Sequence, residues 1–142
     1  MEQLLRESGP AEKHALFMLD IDNFKQVNDV LGHGEGDRVL MELTSQISST
    51  LRRGDLMGRL GGDEFFVLLK DVPDRDAAAS KAHRICAMNI GGEGAGAPVT
   101  ASIGVAMIPE NGRDFDTLYK KVDAALYRQK AQGKNGYLFA EG

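Results

Sequence analysis

Features that mark several specialised classes of protein are scarce in this sequence. Its 142 residues include no tryptophan, one cysteine and four prolines, and 17 basic side chains nearly balance 21 acidic ones. The single cysteine, Cys86, excludes an intramolecular disulfide and is typical of a reducing compartment, so a cytoplasmic location is expected. No apolar run approaches the roughly 18 residues of a membrane span. The N-terminal segment, with Glu2 and only a short apolar patch, does not fit a signal peptide.

The charge pattern excludes a further class. A net charge of −4 is small and spread along the chain, whereas a nucleic-acid-coating protein needs a basic surface. We therefore expect no nucleic-acid partner and no membrane contact from this segment. Hydrophobic residues make up 42% of the sequence, which predicts a folded globular domain over residues 1–142.

The apolar patterns predict both strands and helices. Strand character is found at residues 15–19, 55–60, 64–70, 99–107 and 137–139. Helices are predicted at residues 1–8, at about 23–31 with Asp22 as N-cap and Gly32 at its end, at 36–53, from Asp74 or Asp76 to 89, and at 114–132. Strands and helices do not alternate regularly, and Gly61-Gly62 suits a tight hairpin. The order therefore favours an α+β fold, with an antiparallel hairpin in the sheet, over a doubly wound parallel sheet.

Acidic side chains follow the first predicted strand. Asp20 closes its apolar run, Asp22 stands two residues further on, and the carbonyl of Ile21 lies between them. A hard divalent cation prefers such oxygen ligands, and the lack of histidine or cysteine nearby favours Mg²⁺ or Mn²⁺ over zinc. If the glycine hairpin lies beside this strand, Asp63 approaches Asp20, and a cation would relieve their repulsion. A simpler alternative stays open, in which Asp22 is only an N-cap and Asp63-Glu64 only a polar turn.

The first internal helix has features of phosphate binding. Its free N–H groups, at Asn23 and Phe24, form a seat for an anion, and Lys25 adds a full positive charge. Together with metal ions, this combination describes a triphosphate site. Further along, Asn28 and Asp37 could read a base edge, because an aspartate can accept from the adjacent N1–H and N2–H of guanine. Asp37 is explained about equally well as the N-cap of the next helix.

The chain resembles the GGDEF domain of diguanylate cyclases in five segments, which occur in this order: DIDNFKQVND, GHGEGD, RLGGDEF, ASIGVAM and ALYRQKAQGKN. The resemblance covers nearly the whole chain. It implies a five-stranded, mixed but largely antiparallel sheet flanked by helices, similar to the palm of nucleotidyl cyclases and polymerases, with a ferredoxin-like core. It also implies condensation of two GTP molecules into cyclic di-GMP by a homodimer, with two Mg²⁺ or Mn²⁺ ions per site.

The resemblance assigns roles to individual residues. Asp20, the carbonyl of Ile21 and Asp63 would hold the metal ions. Glu64 would be the candidate base for the attacking 3′-hydroxyl, and Lys25 would stabilise charge on the phosphates. The remaining substrate contacts would come from Asn23, Phe24, Asn28, Asp37, Lys130 and Lys134. Lys134 stands where the family commonly has arginine, which replaces a planar fork by a point charge.

Two more expectations concern regulation and chain length. Arg52 and Asp55 match the family's RxxD inhibitory product site; alternatively, Arg52 complements the dipole at a helix C-terminus. The rival function is a catalytically silent domain that acts as a receptor for GTP or cyclic di-GMP. The D-x-L-T-x-L-x-N-R opening of the family is missing, which predicts a fragment of a longer protein, with a membrane tether elsewhere in the parent left open.

Overall fold

A computed structural model describes residues 12–141 of the chain, and the helix predicted at residues 1–8 lies outside them. The strands are β1 (His14–Ile21), β2 (Leu56–Gly61), β3 (Glu64–Leu69), β4 (Ala101–Ile108) and β5 (Gly136–Phe139). The helices are α1 (Phe24–Gln26, continued by a π-helical turn over Val27–Leu31), α2 (His33–Ser48), α3 (Arg75–Cys86) and α4 (Phe115–Gln132). Within the described range, no helix is both long and apolar enough to cross a bilayer.

The strands form one mixed sheet in the order β2-β3-β1-β4-β5. All neighbours are antiparallel except β4 and β5, which are parallel. This confirms the predicted five-stranded, largely antiparallel sheet. The hairpin of β2 and β3 lies beside β1, in a register that places Asp20 opposite Glu64 on one side and opposite Ser102 on the other. The acidic end of β1 therefore lies next to the glycine hairpin, which is the condition on which the expected approach of Asp63 to Asp20 depended.

β1 is buried on both faces, and its side chains alternate between two cores. Ala15, Phe17, Leu19 and Ile21 join the core that also contains residues of α2 and α3. Leu16 and Met18 join the core that contains residues of α4. Because successive side chains of a strand point to opposite faces, Asp20 continues the α4 side. Because Asp20 lies on the face of β1 that packs against α4, it can contact Lys130 of that helix.

The strand β4 controls how closely α4 approaches the sheet. All of its residues are buried, so both of its faces are covered. Ile103, Val105 and Met107 pack in the core with α2 and α3. On the other face, a Cβ added to Gly104 would lie 2.3 Å from the carbonyl oxygen of Val122 and 2.7 Å from the amide nitrogen of Leu126. The backbone of α4 therefore rests directly on β4.

The bounds of α2 differ from the prediction. It runs from His33 to Ser48 rather than from residue 36 to 53, so Asp37 is not its N-cap. The helix starts early because Gly32, with φ of 92°, reverses the chain and its carbonyl oxygen accepts from the Gly36 amide at 3.2 Å. It ends early because the hydroxyls of Ser49 and Thr50 donate to carbonyls of its last turn.

The ends of α3 and α4 lie closer to their predicted positions. Asp74 caps α3 by accepting from Ala77, but that helix ends at Cys86 rather than at residue 89. Asp114 caps α4 by accepting from Thr117, and Gly133 follows its last residue. The predicted start and end of α4 are thus confirmed.

Candidate functional site

A cavity of about 320 Å³ opens where β1, the start of α1, the glycine hairpin and the end of α4 meet. It gathers most of the predicted site residues. Those that line it are Asp20, Ile21, Asn23, Phe24, Lys25, Asp63, Lys130 and Lys134, together with Asp22 and Gln26. The elements that bring them together are far apart in the chain, so only the folded sheet creates the cavity.

Asp20 is the most buried of the predicted metal ligands. It is 6% exposed, and its carboxylate pairs with the ammonium group of Lys130 from α4. Burial raises the pKa of Asp20 to about 6, and the nearby carboxylate of Asp63 adds to this, whereas Lys130 acts in the opposite direction. The oxygen Oδ1 of Asp20 has no hydrogen-bond partner. A buried carboxylate oxygen without a partner is costly unless a ligand completes it.

The oxygen atoms around Asp20 fit a divalent cation. The unpartnered Oδ1, the nearby carboxylate of Asp63 and the backbone of Ile21 border the same cavity, and carboxylate and carbonyl oxygens are what Mg²⁺ and Mn²⁺ prefer. No group of three or more acidic, histidine or cysteine side chains with metal-binding geometry occurs between residues 12 and 141. The protein side chains would therefore supply only part of a coordination shell, as is common for Mg²⁺ sites that also hold substrate phosphates.

Glu64 lies directly across from Asp20 in the sheet. Its pKa is raised, first by burial and then by the negative charges of Asp20 and Asp123, with Lys130 opposing them. A glutamate with a raised pKa is a stronger base than an ordinary one, which suits a group that accepts a proton near neutral pH.

Arg59 braces the turn that carries Asp63 and Glu64, and the sequence interpretation missed it. Its Nε and Nη2 atoms donate to the carbonyl oxygen of Gly62 at 2.8 and 2.5 Å. Gly62 has φ of 49° and Gly61 has φ of 153°, so the turn uses conformations that favour glycine. The signal was present in the sequence, because an arginine two residues before the glycine pair can reach back over a tight hairpin.

Three lysines approach the cavity from two directions. Lys25 extends from α1 and is exposed, while Lys130 and Lys134 lie at and after the end of α4. The ammonium group of Lys134 donates to Oδ1 of Asn23 at 2.9 Å. In Lys130, burial lowers the pKa, but contact with Asp20 outweighs it and the net shift is upward. Positive charge thus surrounds the acidic end of β1.

The predicted role of Asp22 as an N-cap is wrong. The N-cap of α1 is Asn23, which has φ of 64° and makes no side-chain capping bond. Asp22 is 3% exposed and instead accepts from Thr100 Oγ1 at 2.6 Å, Ser102 Oγ at 2.7 Å and the Asn135 amide at 3.0 Å. These partners lie in β4, in the residue before it and in the turn after α4. Because all three are remote from Asp22 in the chain, local sequence patterns do not indicate them.

Asn28 and Asp37 do not line the cavity; they lie on neighbouring helical segments beside it. Asn28 is on the π-helical turn and Asp37 is exposed on α2. A Cβ added to Gly36 would lie 1.9 Å from Oδ1 of Asn28, so the absent side chain leaves room for the amide of Asn28. The structure therefore brings this pair near the site without joining it to the acidic cluster.

Arg52 and Asp55 lie after α2, away from the cavity. Because α2 ends at Ser48, Arg52 is not in its last turn, which removes the helix-dipole alternative. The side chain of Asp55 is 1% exposed, and its two oxygens accept from the amides of Arg52 and Lys70, each at 2.8 Å. Arg52 donates to the carbonyl oxygen of Lys70, yet 60% of its side chain remains exposed. Both oxygens of Asp55 are thus used in hydrogen bonds that stabilise the loop, whereas the side chain of Arg52 remains accessible to a ligand.

Comparison with known proteins identifies relatives of the chain. Residues 1–136 match the family model described as diguanylate cyclase, GGDEF domain. Diguanylate cyclase DgcM of Escherichia coli K12 is 43% identical over 131 residues, which are 92% of this chain and 32% of DgcM. The bifunctional diguanylate cyclase/cyclic di-GMP phosphodiesterase MucR of Pseudomonas aeruginosa is 36% identical over 99% of this chain and 20% of MucR. The chain therefore spans about a fifth to a third of these curated relatives.

Solved structures show the same fold. The GGDEF domain of YfiN (TpbB) from Pseudomonas aeruginosa superposes with a TM-score of 0.85 at 35% identity, covering 99% of this chain and 91% of that one. The GGDEF domain of DgcB from Caulobacter crescentus, solved in complex with c-di-GMP, gives a TM-score of 0.80 at 29% identity, covering 92% and 80%.

Proposed function

Because the chain belongs to the diguanylate cyclase GGDEF domain family, we propose that it condenses two molecules of GTP into cyclic di-GMP and pyrophosphate in the cytoplasm. The observation that carries the proposal is the shared cavity at the end of β1. There, two close carboxylates, Asp20 and Asp63, stand beside lysines from α1 and from the end of α4. A nucleotidyl transfer site requires carboxylates that bind metal cations and, next to them, positively charged side chains that bind phosphates.

The metal-binding part of the proposal assigns two divalent cations, Mg²⁺ or Mn²⁺, to Asp20, the carbonyl of Ile21 and Asp63. Bound there, the cations would supply charge neutralisation for the attacking and leaving oxygens. Lys130, which pairs with Asp20, would exchange that partner for a terminal phosphate when the cations and GTP bind. Asp20 would then be compensated by the cations instead of by Lys130, so the acid is not left buried and unpaired.

The reaction consists of two equivalent displacements. In each, the 3′-hydroxyl oxygen of one GTP bonds to the α-phosphorus of the other, and the bond from that phosphorus to the pyrophosphate oxygen breaks. Glu64 accepts the hydroxyl proton, which its raised pKa favours. Lys25, Lys130 and Lys134 stabilise the charge that passes to the leaving pyrophosphate. Asn23 and Phe24, at the start of α1, add backbone N–H groups toward the phosphates.

Base selection is proposed for Asn28 and Asp37. An aspartate can accept from the paired N1–H and N2–H donors of guanine, and adenine offers no such pair. Their positions on adjacent helical segments, with Gly36 leaving space beside Asn28, allow both to face one base. GTP would then be preferred over ATP because adenine cannot supply the pair of donors that Asp37 would accept.

Catalysis requires two copies of the chain, because each cavity would hold one GTP. A two-fold symmetric dimer presents each 3′-hydroxyl to the phosphate held by its partner. For feedback, we assign product binding to the Arg52 loop, with Arg52 contacting phosphate or guanine. Asp55, whose oxygens are already bonded within the loop, would act by fixing that loop.

The test is incubation of the purified chain with GTP and Mg²⁺, followed by chromatographic separation of the nucleotides. We expect cyclic di-GMP and pyrophosphate from the wild type and at least a 100-fold lower rate from Asp63→Asn, the scale on which loss of a charge-stabilising group acts (roughly 10²–10³-fold). Asp76→Asn, an exposed acid on α3, serves as the matched control and should keep the wild-type rate. Tight GTP or cyclic di-GMP binding without turnover would instead identify a receptor.

A further inference from the structure

Asp22 is a buried acid at the site that neither metal binding nor helix capping explains. We propose that Asp22 is a positioning residue: its carboxylate holds the turn after α4 against the end of β1 and so sets where Lys134 meets the nucleotide triphosphate. This inference rests on the proposed function, since it gives Lys134 a phosphate partner.

The hydrogen bonds of Asp22 leave it little capacity for a metal ion. Its Oδ2 accepts from Thr100 Oγ1 at 2.6 Å and from the amide of Asn135 at 3.0 Å, and its Oδ1 accepts from Ser102 Oγ at 2.7 Å. The side chain is almost fully buried, with the residue 3% exposed. Hydrogen bonds to an ionised carboxylate are stronger than neutral ones. Asp22 therefore joins three places in the chain through one group.

The turn that Asp22 holds has an unusual backbone. Lys134 has φ of 63° and Asn135 has φ of 41°, a region that residues with a Cβ rarely adopt. Such conformations persist where surrounding contacts over-determine them. Gln129 supplies further contacts, since its Nε2 donates to the Lys134 carbonyl at 2.9 Å and its carbonyl accepts from the Lys134 amide at 3.1 Å. The bond from Asn135 to Asp22 fixes the other side of the turn.

The residue after Asp22, Asn23, is hydrogen-bonded to the side chain of Lys134, which lies in this turn. The ammonium group of Lys134 donates to Asn23 Oδ1 at 2.9 Å. Asn23 has φ of 64° and its Nδ2 donates to the carbonyl oxygen of Pro98 at 2.5 Å. Asp22 and Asn23 thus form hydrogen bonds both with the segment that leads into β4 and with the turn after α4. In the proposal, these two sets of hydrogen bonds keep the side chain of Lys134 pointing into the cavity.

The test is a double-mutant cycle on Asp22→Asn and Lys134→Ala, with the KM for GTP, kcat and the affinity for a non-hydrolysable GTP analogue measured for each variant. We expect Asp22→Asn to raise the KM and the analogue Kd roughly 5- to 20-fold with a smaller change in kcat, a range that coupled neighbouring residues commonly show. In the Lys134→Ala background, Asp22→Asn should have almost no further effect. Independent multiplication of the two effects would overturn the proposal.

Matched variants separate positioning from general stability. Ser102→Ala removes the bond to Oδ1 but leaves the bond from Asn135 to Oδ2 intact, so its melting temperature should fall while its KM stays near the wild-type value. An equal rise in KM for Ser102→Ala would contradict the proposal. If Asp22→Asn unfolds, Asp22→Glu replaces it in the cycle, because the longer side chain keeps the charge but moves the acceptor of the Asn135 amide; additivity with Lys134→Ala would again overturn the proposal.

Failure of the proposed function gives a different result. A wild-type chain that binds neither GTP nor its analogue would remove the triphosphate site, and with it both proposals. A wild-type chain that binds GTP while the cycle is additive would leave the function standing and reject only the role of Asp22.

Discussion

Asp20 and Asp22 stand two residues apart at the end of β1, and both are buried, yet their partners differ. Asp22 accepts three hydrogen bonds, whereas Asp20 has one ion pair and one oxygen without any partner. The first arrangement is complete within the protein, and the second fits an additional cation. Environment rather than residue type therefore divides a structural acid from a candidate ligand.

The pKa of Asp20 predicts how stability depends on pH in the metal-free chain. Burial holds the pKa of this carboxyl at about 6, above the ordinary 3.8, so the folded state binds the proton more tightly than the unfolded state. The associated stability is present at low pH and is lost as the pH rises through 6. Between pH 5 and 7.5, with EDTA present, the contribution of Asp20 to the free energy of unfolding should fall by roughly 1 kcal/mol.

Urea unfolding of the wild type and of Asp20→Asn at both pH values measures this contribution as a difference, which removes the other titrating groups. The amide cannot ionise, so the variant should lack the pH-dependent loss. Equal pH dependence in the two proteins would show that Asp20 titrates outside this window. Saturating Mg²⁺ should reduce the loss in the wild type, because a bound cation favours the ionised carboxylate.

Arg52 carries the prediction for product feedback. Its side chain is largely exposed beside a loop that Asp55 fixes, so Arg52→Ala should weaken cyclic di-GMP binding roughly 10-fold or more, as expected for loss of a charge-assisted contact. Product inhibition should weaken in parallel while the initial rate stays unchanged. Isothermal titration with cyclic di-GMP and progress curves measure the two effects. The adjacent Arg53→Ala is the control. Equal weakening of cyclic di-GMP binding by both variants would contradict a specific contact with Arg52 and would indicate only a general effect of positive charge.

At the scale of elements, the position of α4 on β4 decides whether its basic end reaches the site. The backbone of α4 approaches Gly104 so closely that no Cβ fits, while Leu118, Val122 and Leu126 fill the core beside it. Because Lys130 is on the same helix, a shift of α4 away from the sheet would also separate Lys130 from Asp20.

Gly104→Ala tests this close approach. The added Cβ would meet backbone atoms of α4, which cannot rotate away, so we expect a loss of about 1–3 kcal/mol in the free energy of unfolding and a higher KM for GTP. Gly34→Ala is the matched control, because a Cβ there meets nothing within 4 Å and lies inside α2. Chemical denaturation measures both, and an unchanged stability for Gly104→Ala would mean that α4 is not seated as described.

At the scale of the whole molecule, the proposed reaction is a property of two chains. Each copy contributes one cavity, so the rate per chain should rise with protein concentration where pairing is weak. An N-terminally appended dimeric coiled coil should therefore raise the initial rate per chain at nanomolar concentration and remove the concentration dependence, because linkage raises the effective concentration of the partner. A monomeric helix of equal length is the control. An unchanged rate would exclude pairing as the limiting step.

Much of the fold could be predicted from the sequence because local patterns report it. The apolar run at residues 15–19 indicated a strand, and the helix predicted at residues 114–132 has the observed ends of α4, since the capping residue Asp114 and the glycine Gly133 meet local requirements. The ends of α2 were wrong for the complementary reason. Gly32 could begin one helix as readily as it ended another, and α2 stopped at Ser48, before the expected residue 53, where the hydroxyls of Ser49 and Thr50 bond back to its last turn.

The amino-acid sequence alone determined the residue types of the site and their order, and hence the family, because a carboxylate or lysine carries the same chemistry wherever it stands. Which of these groups meet depends on how the chain folds. The tertiary structure paired Lys130 with Asp20 across 110 positions, and it gave Asp22 three distant donors instead of a helix to cap. It also closed both oxygens of Asp55 inside its own loop. Burial and hydrogen-bond partners depend on packing between segments that are remote in the chain, and no local pattern encodes them.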